Sequence, residues 1–471
     1  MGQADLIPVV RYLAAPGTTP SQRNMGLDLT GGSVQAQSLS SPASNGLLAL
    51  APPVNAHDHG YGIRTLDFGC YDDALEPWIA GLRNRPRTDP YLEALIAFGR
   101  LAKNGCGATM HCHNSLRADR LGDEVDAVAR AAKESGIRVA LSCPLLDDSA
   151  WVYGGPQQLR SVVTPEHWPA FEARMPSYAP FKEQLAAAED CIKLHRGEQF
   201  DVQLGPIGPQ WCSDAMLEAI AETSDRLDCR IHMHLLESPR QRVWLDQRFP
   251  DGVVQHLDSI GFLSSRLAVA HGVQLRPEEC DLLAERDVIV ASNPSANLRL
   301  RSGIAPVETY REAGLAYAIG MDGTSFSDDQ DIWEEMRLFH LLHGGQGLEP
   351  SIATVELFKA ATQTGAKVLG MPTEGDLVTL NFDAMMAECL ADATDEATAI
   401  LTRMTRHFVE DLYVASKQVV RNKKVVSFDY EAALGELVAQ ARHASADKED
   451  DERAFVGTLA KAIRQHYANL A

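Results

Sequence analysis

Between about residue 53 and residue 372 the chain alternates short apolar stretches with longer stretches of helical period, and this alternation constrains the fold more than any other feature. Eight strands are predicted. The first ends at His57, and Gly107–His111, Arg138–Ser142 and Asp201–Gly205 follow. Arg230–His234, Leu267–His271, Asp287–Ala291 and Ala316–Asp322 complete the count. The intervening stretches read as helices, as in Ser213 to Asp228, where Ser213 is a good N-cap and Met216, Leu217, Ile220 and Leu227 form an apolar stripe. Eight strands alternating with helices predict an α/β protein built on a (β/α)8 TIM barrel, whose chemistry lies at the C-terminal strand ends. A barrel of about 250 residues or more leaves room for an accessory domain in 471 residues.

The flanks read differently. Residues 1–52 are short apolar pieces broken by Gly, Ser, Pro and Thr, and Asp28–Val34 resembles a strand and turn. After residue 372, Gly375–Leu380, Leu412–Val420 and Lys424–Ser427 read as strands, with a hairpin turn at Asn422. We expect 1–52 and 373–436 to form one small discontinuous β-sandwich around a barrel of residues 53–372. Residues 437–471 would be a charged helical tail, solvated or contacting another subunit. The insertion between the third and fourth strands is long; its first part, Trp151 through Pro180, carries aromatics, Gly and Pro, and reads either as a lid over the barrel mouth or as an excursion packing on a neighbouring subunit.

A formal charge of −21 argues against nucleic acid or an anionic membrane as partner, since both need a basic footprint. Nine cysteines without a Cys-x-x-Cys pair suit reduced, packed thiols. The Met1–Asp5 start has no basic segment leading into an apolar core, and no apolar run approaches the roughly 20 residues of a membrane span. The expected location is cytoplasmic.

Polar residues gather at the strand ends. The first predicted strand ends in His57-Asp58-His59, the fifth in His234, the sixth in His271 and the eighth in Asp322. Residues two apart on a strand share a face, so His57 and His59 can reach one ion. The apolar run Gly46–Ala51 leads into this pair and would form the strand that carries it. Three imidazoles and a carboxylate suit Zn2+, with Fe2+ or Mn2+ as alternatives, and His57, His59, His234 and Asp322 are the candidate ligands. The fourth strand has no lysine to bridge a second ion, so one divalent ion is expected. Glu237, three residues after His234, would enter the same pocket and carry a proton to a leaving group. His271 would orient water or polarise a substrate carbonyl. A second His-x-His, His111-Cys112-His113, ends the second strand at the same face.

These residues sit in Pro53–His59, His234–Ser238, Ala270–Gly272, Ser292-Asn293 through Asn297–Pro306, and Gly320–Gly323. Taken together and in this order, the segments resemble the amidohydrolase superfamily, in particular its triazine hydrolase and cytosine deaminase-like branch, across nearly the whole chain. The resemblance implies the barrel with a split β-sandwich, a single divalent ion on the four residues named, and a homodimer or larger homo-oligomer. It also implies that Asp322 takes a proton from the attacking water, that Glu237 delivers one to the leaving nitrogen, and that His271 orients water or substrate.

One departure bears on the substrate. Many deaminases of that branch carry Pro-His-x-Pro after the fourth strand, whereas this chain reads Gly205-Pro206-Ile207-Gly208-Pro209-Gln210-Trp211. With Ile207 and Trp211 there, and with Tyr61 and the aromatics of 151–153 expected nearby, the pocket is read as apolar, which disfavours a polar heterocycle. Ile207, Gln210, Trp211, Tyr61, His113 and Asn293 are the candidate substrate contacts. The Ile207 change, with His57–Gly62 and Met321–Thr324, is similar to phenylurea and thiocarbamate hydrolases. The expected activity is hydrolysis of a non-peptide C–N bond in an amide, urea or carbamate-like small molecule with an apolar or aromatic group. Deamination of a heteroaromatic ring is the alternative, and a non-catalytic barrel scaffold a second one.

Overall fold

A computed structural model describes residues 6–390, 395–447 and 450–469. The Met1–Asp5 segment read above for a leader lies outside the described residues. Strands β1 (Ile7–Tyr12), β2 (Gln22–Asp28), β3 (Gln35–Ser38) and β4 (Leu47–Leu50) come first. Next are β5 (Val54–Asp58), β6 (Ala108–Cys112), β7 (Arg138–Leu145), β8 (Phe200–Pro206), β9 (Ile231–Leu235), β10 (Leu267–His271), β11 (Ile289–Ser292) and β12 (Ala316–Ile319). The last are β13 (Leu377–Asn381), β14 (Val409–Val414), β15 (Lys417–Arg421) and β16 (Lys424–Val425).

Strands β5 to β12 lie side by side in sequence order as one eight-stranded sheet with parallel pairing, the (β/α)8 barrel. The strands are buried nearly throughout because helices cover their outer faces. Small residues fill the lower interior: Ala108, Ala140, Ala268, Ala291 and Ala318 share it with Met110 and Ile289. Val368 and Leu369, on the helix Gly365–Leu369, close that end with Met371. The ring is drawn shut where the His57 carbonyl accepts the amides of Met321 (3.0 Å) and Asp322 (2.8 Å). That closure sets Asp322 beside His57.

The other sheet also has eight strands, in the order β16-β15-β14-β13-β4-β1-β2-β3, so both flanks of the chain contribute to it. The run 46–51 belongs here as β4, paired with β1 and β13, and does not carry the histidines. Pro52 and Pro53 lack amide hydrogens, and the chain passes to β5 across them. The single strand expected over 412–420 is two: Ala415 and Ser416 both take left-handed conformations (φ 49° and 64°) and form the tight turn of a β14–β15 hairpin.

The C-terminal helices Tyr430–Ala446 and Asp450–Ala468 pack on the body of the protein. Phe455, Leu459 and Ile463 are buried against Trp151, Leu159, Trp168 and Phe171 of the insertion, which therefore rests on its own chain. Among the described residues, no helix is long and apolar enough to cross a membrane.

One buried ion pair ties the two sheets together. Arg138, at the start of β7, donates Nε (3.1 Å) and an NH2 (3.2 Å) to the Asp376 carboxylate, whose Oδ1 also accepts the Ala415 amide. Asp376→Ala would strand a buried guanidinium, at a cost of about 3–5 kcal/mol. Denaturant unfolding should show that loss, whereas Arg138→Ala together with Asp376→Ala should recover part of it.

Candidate metal centre and cavity

Three barrel strands and the loop after β12 aim side chains at one point above the alanine layer. His57 comes from β5 and His59 from just after it, His234 from β9, His271 from the end of β10 and Asp322 from just beyond β12. His59 Nε2 lies 3.3 Å from His234 Nε2 and 3.2 Å from Asp322 Oδ1. His57 Nε2 stands 3.9 Å from the same carboxylate oxygen, and His271 Nε2 is 3.9 Å from Asp322 Oδ2.

The far nitrogens are anchored, which orients the near ones. His59 Nδ1 donates to the Cys112 carbonyl (3.2 Å), His234 Nδ1 to the Ile207 carbonyl (2.8 Å) and His271 Nδ1 to Asn297 Oδ1 (2.9 Å). His57 Nδ1 lies 2.8 Å from His232 Nε2. Among the described residues, the buried Nε2 atoms of His57 and His271 have no hydrogen-bond partner. Burial, reinforced by the neighbouring imidazoles, holds His57 and His234 well below the usual histidine range, and burial lowers His59 too. Neutral imidazoles with free lone pairs are what a divalent ion requires. Two donors about 2.0–2.1 Å from one tetrahedral ion stand roughly 3.3 Å apart, and the His59–His234 and His59–Asp322 spacings meet that value. The residues present therefore fit a divalent ion.

Three residues here hold a left-handed backbone without being glycine: Leu236 (φ 52°), His271 (φ 74°) and Asp322 (φ 57°). Such conformations cost about 1–3 kcal/mol each and persist where surrounding structure imposes them. Gly320 is required for packing, because a Cβ there would come within 2.3 Å of Asn293 Oδ1 and 2.9 Å of the His57 amide nitrogen. Asp58 turns away from the cluster and accepts from the Gly60 amide, Asn55 and Gln330.

Glu237 is buried beside the cluster, its Oε2 3.6 Å from His271 Nε2 and its Oε1 accepting from Ser302 Oγ at 3.4 Å. Burial pushes its carboxyl up to about 7, so a protonated form is available near neutrality.

Above the centre opens a cavity of about 790 Å³. His59, His234, Glu237, His271 and Asp322 form its floor, and Leu75, Trp78, Leu146, Tyr178, Ile207, Trp211 and Leu300 supply apolar walls. Tyr61 and His113 also line it, the latter with Nε2 held by Glu124 at 3.0 Å. Gln210 and Asn293 stand outside the lining: Gln210 is fully buried behind Gly208, and Asn293 packs between His271 and Gly320. The aromatics of 151–153 are likewise withdrawn, Trp151 into the apolar cluster under the C-terminal helix and Tyr153 onto Glu76 at 2.9 Å. The insertion reaches the cavity through Ala150, Ser177 and Tyr178.

His232, Asn55 and Asn297 were not singled out from the sequence. His232 carried a legible signal, since Ile231-His232-Met233-His234 is itself a His-x-His on one strand face. The two asparagines fall within the segments Pro53–His59 and Asn297–Pro306, but their roles did not show, because their partners lie on other elements: Asn55 Oδ1 accepts the Met321 amide at 3.0 Å.

Residues 53–402 match the Amidohydrolase family. The 5-methylthioadenosine/S-adenosylhomocysteine deaminase of Thermococcus sibiricus is 29% identical over 344 residues, covering 70% of this chain and 73% of that one. The deaminase of the same description from Syntrophomonas wolfei is 27% identical over 408 residues, 83% of this chain and 85% of that one. Among solved structures, a zinc-bound adenosine deaminase from Xanthomonas campestris superposes with TM-score 0.76 at 20% identity, covering 94% of this chain and 98% of its own. A zinc complex of a mutant atrazine chlorohydrolase from Arthrobacter aurescens gives TM-score 0.78 at 19% identity, over 93% and 99% of the two chains. The chain belongs to the amidohydrolase family and is a hydrolase acting on carbon–nitrogen bonds other than peptide bonds.

Proposed function

We propose that the protein is a mononuclear metal hydrolase that cleaves a C–N bond in an amide, urea or carbamate-like small molecule bearing an apolar or aromatic group. The observation that carries this reading is the pairing of a donor set spaced for one ion with a cavity whose wall at Ile207 is apolar. His57, His59, His234 and Asp322 would hold the ion, Zn2+ first by its ligand preference. When bound, it would supply Lewis acidity and lower the pKa of water toward about 7.

The remaining work falls to side chains. Asp322 accepts the proton of the attacking water, and His271, fixed by Asn297, polarises the substrate carbonyl. Glu237 protonates the departing nitrogen. The apolar walls seat the non-reacting group. Several polar side chains at the rim are occupied within the protein: Gln184 bonds the backbone of Leu146 and Ala179, and Asn114 bonds Tyr61. The apolar walls raise the desolvation cost of seating a polar ring. Eight buried cysteine thiols support a reducing, cytoplasmic setting.

Likeness to curated deaminases favours the second reading, release of ammonia from an aminoheterocycle. Assay of aryl ureas, anilides and carbamates for amine release, beside aminopurine nucleosides for ammonia release, separates the two. Amine release should dominate, and strong ammonia turnover would reverse the order. Ile207→His should raise preference for polar rings at least about tenfold.

Glu237→Gln should lower kcat by about 10²–10⁴-fold with little change in KM. The donor must be protonated, so with its carboxyl near 7 the wild-type rate should fall as pH rises through that value. The Gln variant should lose this limb, and a retained limb would assign the proton elsewhere.

A further inference from the structure

His232 lies two residues before His234 on the same face of β9, almost fully buried, with Nε2 at 2.8 Å from Nδ1 of His57. That spacing is a hydrogen bond and is too short for two nitrogens sharing an ion, which stand roughly 3.3 Å apart. His57, Cys112 and His232 thus do not make a second metal site, although their donor atoms cluster. We infer that His232 is a positioning residue for the metal centre: its Nε2 accepts the Nδ1 proton of His57 and so commits the Nε2 lone pair of His57 to the ion. The inference rests on the metal reading above.

The chemistry leaves one consistent arrangement. An imidazole binding through Nε2 must carry its proton on Nδ1, and that proton needs an acceptor in a buried place. His59, His234 and His271 direct Nδ1 to oxygens. His57 faces another imidazole and, at 3.3 Å, the Cys112 thiol, a weak acceptor. In the opposite tautomeric pair His232 would donate to His57, leaving a proton on His57 Nε2 where the ion belongs. Among the described residues Nδ1 of His232 has no partner, so none of them beyond it favours either arrangement. Ion binding selects the productive one.

The test compares His232→Gln, whose amide oxygen can reach the Nε2 position, with His232→Leu and His232→Asn, which cannot accept there. Zn2+ affinity is measured by chelator competition on the folded full chain, with the absorption spectrum of the Co2+-loaded protein as a second readout. Leu and Asn should weaken Zn2+ binding by about 10–100-fold and shift the Co2+ bands, while Gln stays within about threefold of wild type. Cys112→Ala should change little. Wild-type affinity in both Leu and Asn variants would overturn the inference, as would equal loss in all three His232 variants or a loss confined to Cys112→Ala. If His232→Leu fails to fold, the Asn and Gln pair decides alone. A wild-type chain that binds no ion would overturn the metal reading itself, a result distinct from wild-type binding that His232 variants leave unchanged.

Discussion

Asp322→Asn should lower kcat by more than about 10³-fold without altering the fold, because it removes a proton acceptor and a charged ligand together. Asparagine is isosteric and keeps an oxygen for the Gly323 amide, now 2.6 Å from Oδ1. The backbone closure onto the His57 carbonyl does not involve the side chain. Steady-state kinetics with circular dichroism of the purified variant provides the check. A folded variant with near wild-type kcat would remove Asp322 from the reaction.

Withdrawing the ion should have the second largest effect. Chelation should abolish turnover reversibly, with recovery on adding Zn2+, Fe2+ or Mn2+. An ion present at a hundredfold over its Kd stabilises the folded state by about 2.7 kcal/mol, so the chelated protein should melt roughly 3 °C lower for a chain of this size. His57→Ala should reproduce the loss of activity and erase the melting response to chelator. Differential scanning calorimetry with and without chelator reads both, and a response preserved in His57→Ala would mean that the ion is held elsewhere.

The barrel was legible because each strand is a short apolar run bounded by helical text, and Leu267–His271 matches its observed span to the residue. Positions of His57, His59, His234 and Asp322 followed from the same count, since chemistry sits at strand ends in this fold. Run 46–51 was misread as the histidine-bearing strand because apolarity alone does not say which sheet a strand joins, and the Pro52-Pro53 break carried that information. The tail and the insertion were harder still. Their apolar residues, Phe455 and Leu459 against Trp151 and Phe171, become a core only when segments some 300 residues apart meet. Placement at the cavity was partly legible: Ile207, Trp211, Tyr61 and His113 line it, whereas Gln210 and Asn293 sit behind it. A side chain in a loop after a strand can point to either side, and periodicity does not resolve which.

Elemental analysis of the purified full-length chain, paired with activity on the same preparations, tests the central claim most directly. The donor geometry predicts one divalent ion per chain, turnover in proportion to ion content, and loss of both in His57→Ala. Full turnover by metal-free protein, or two tightly held ions per chain, would contradict it.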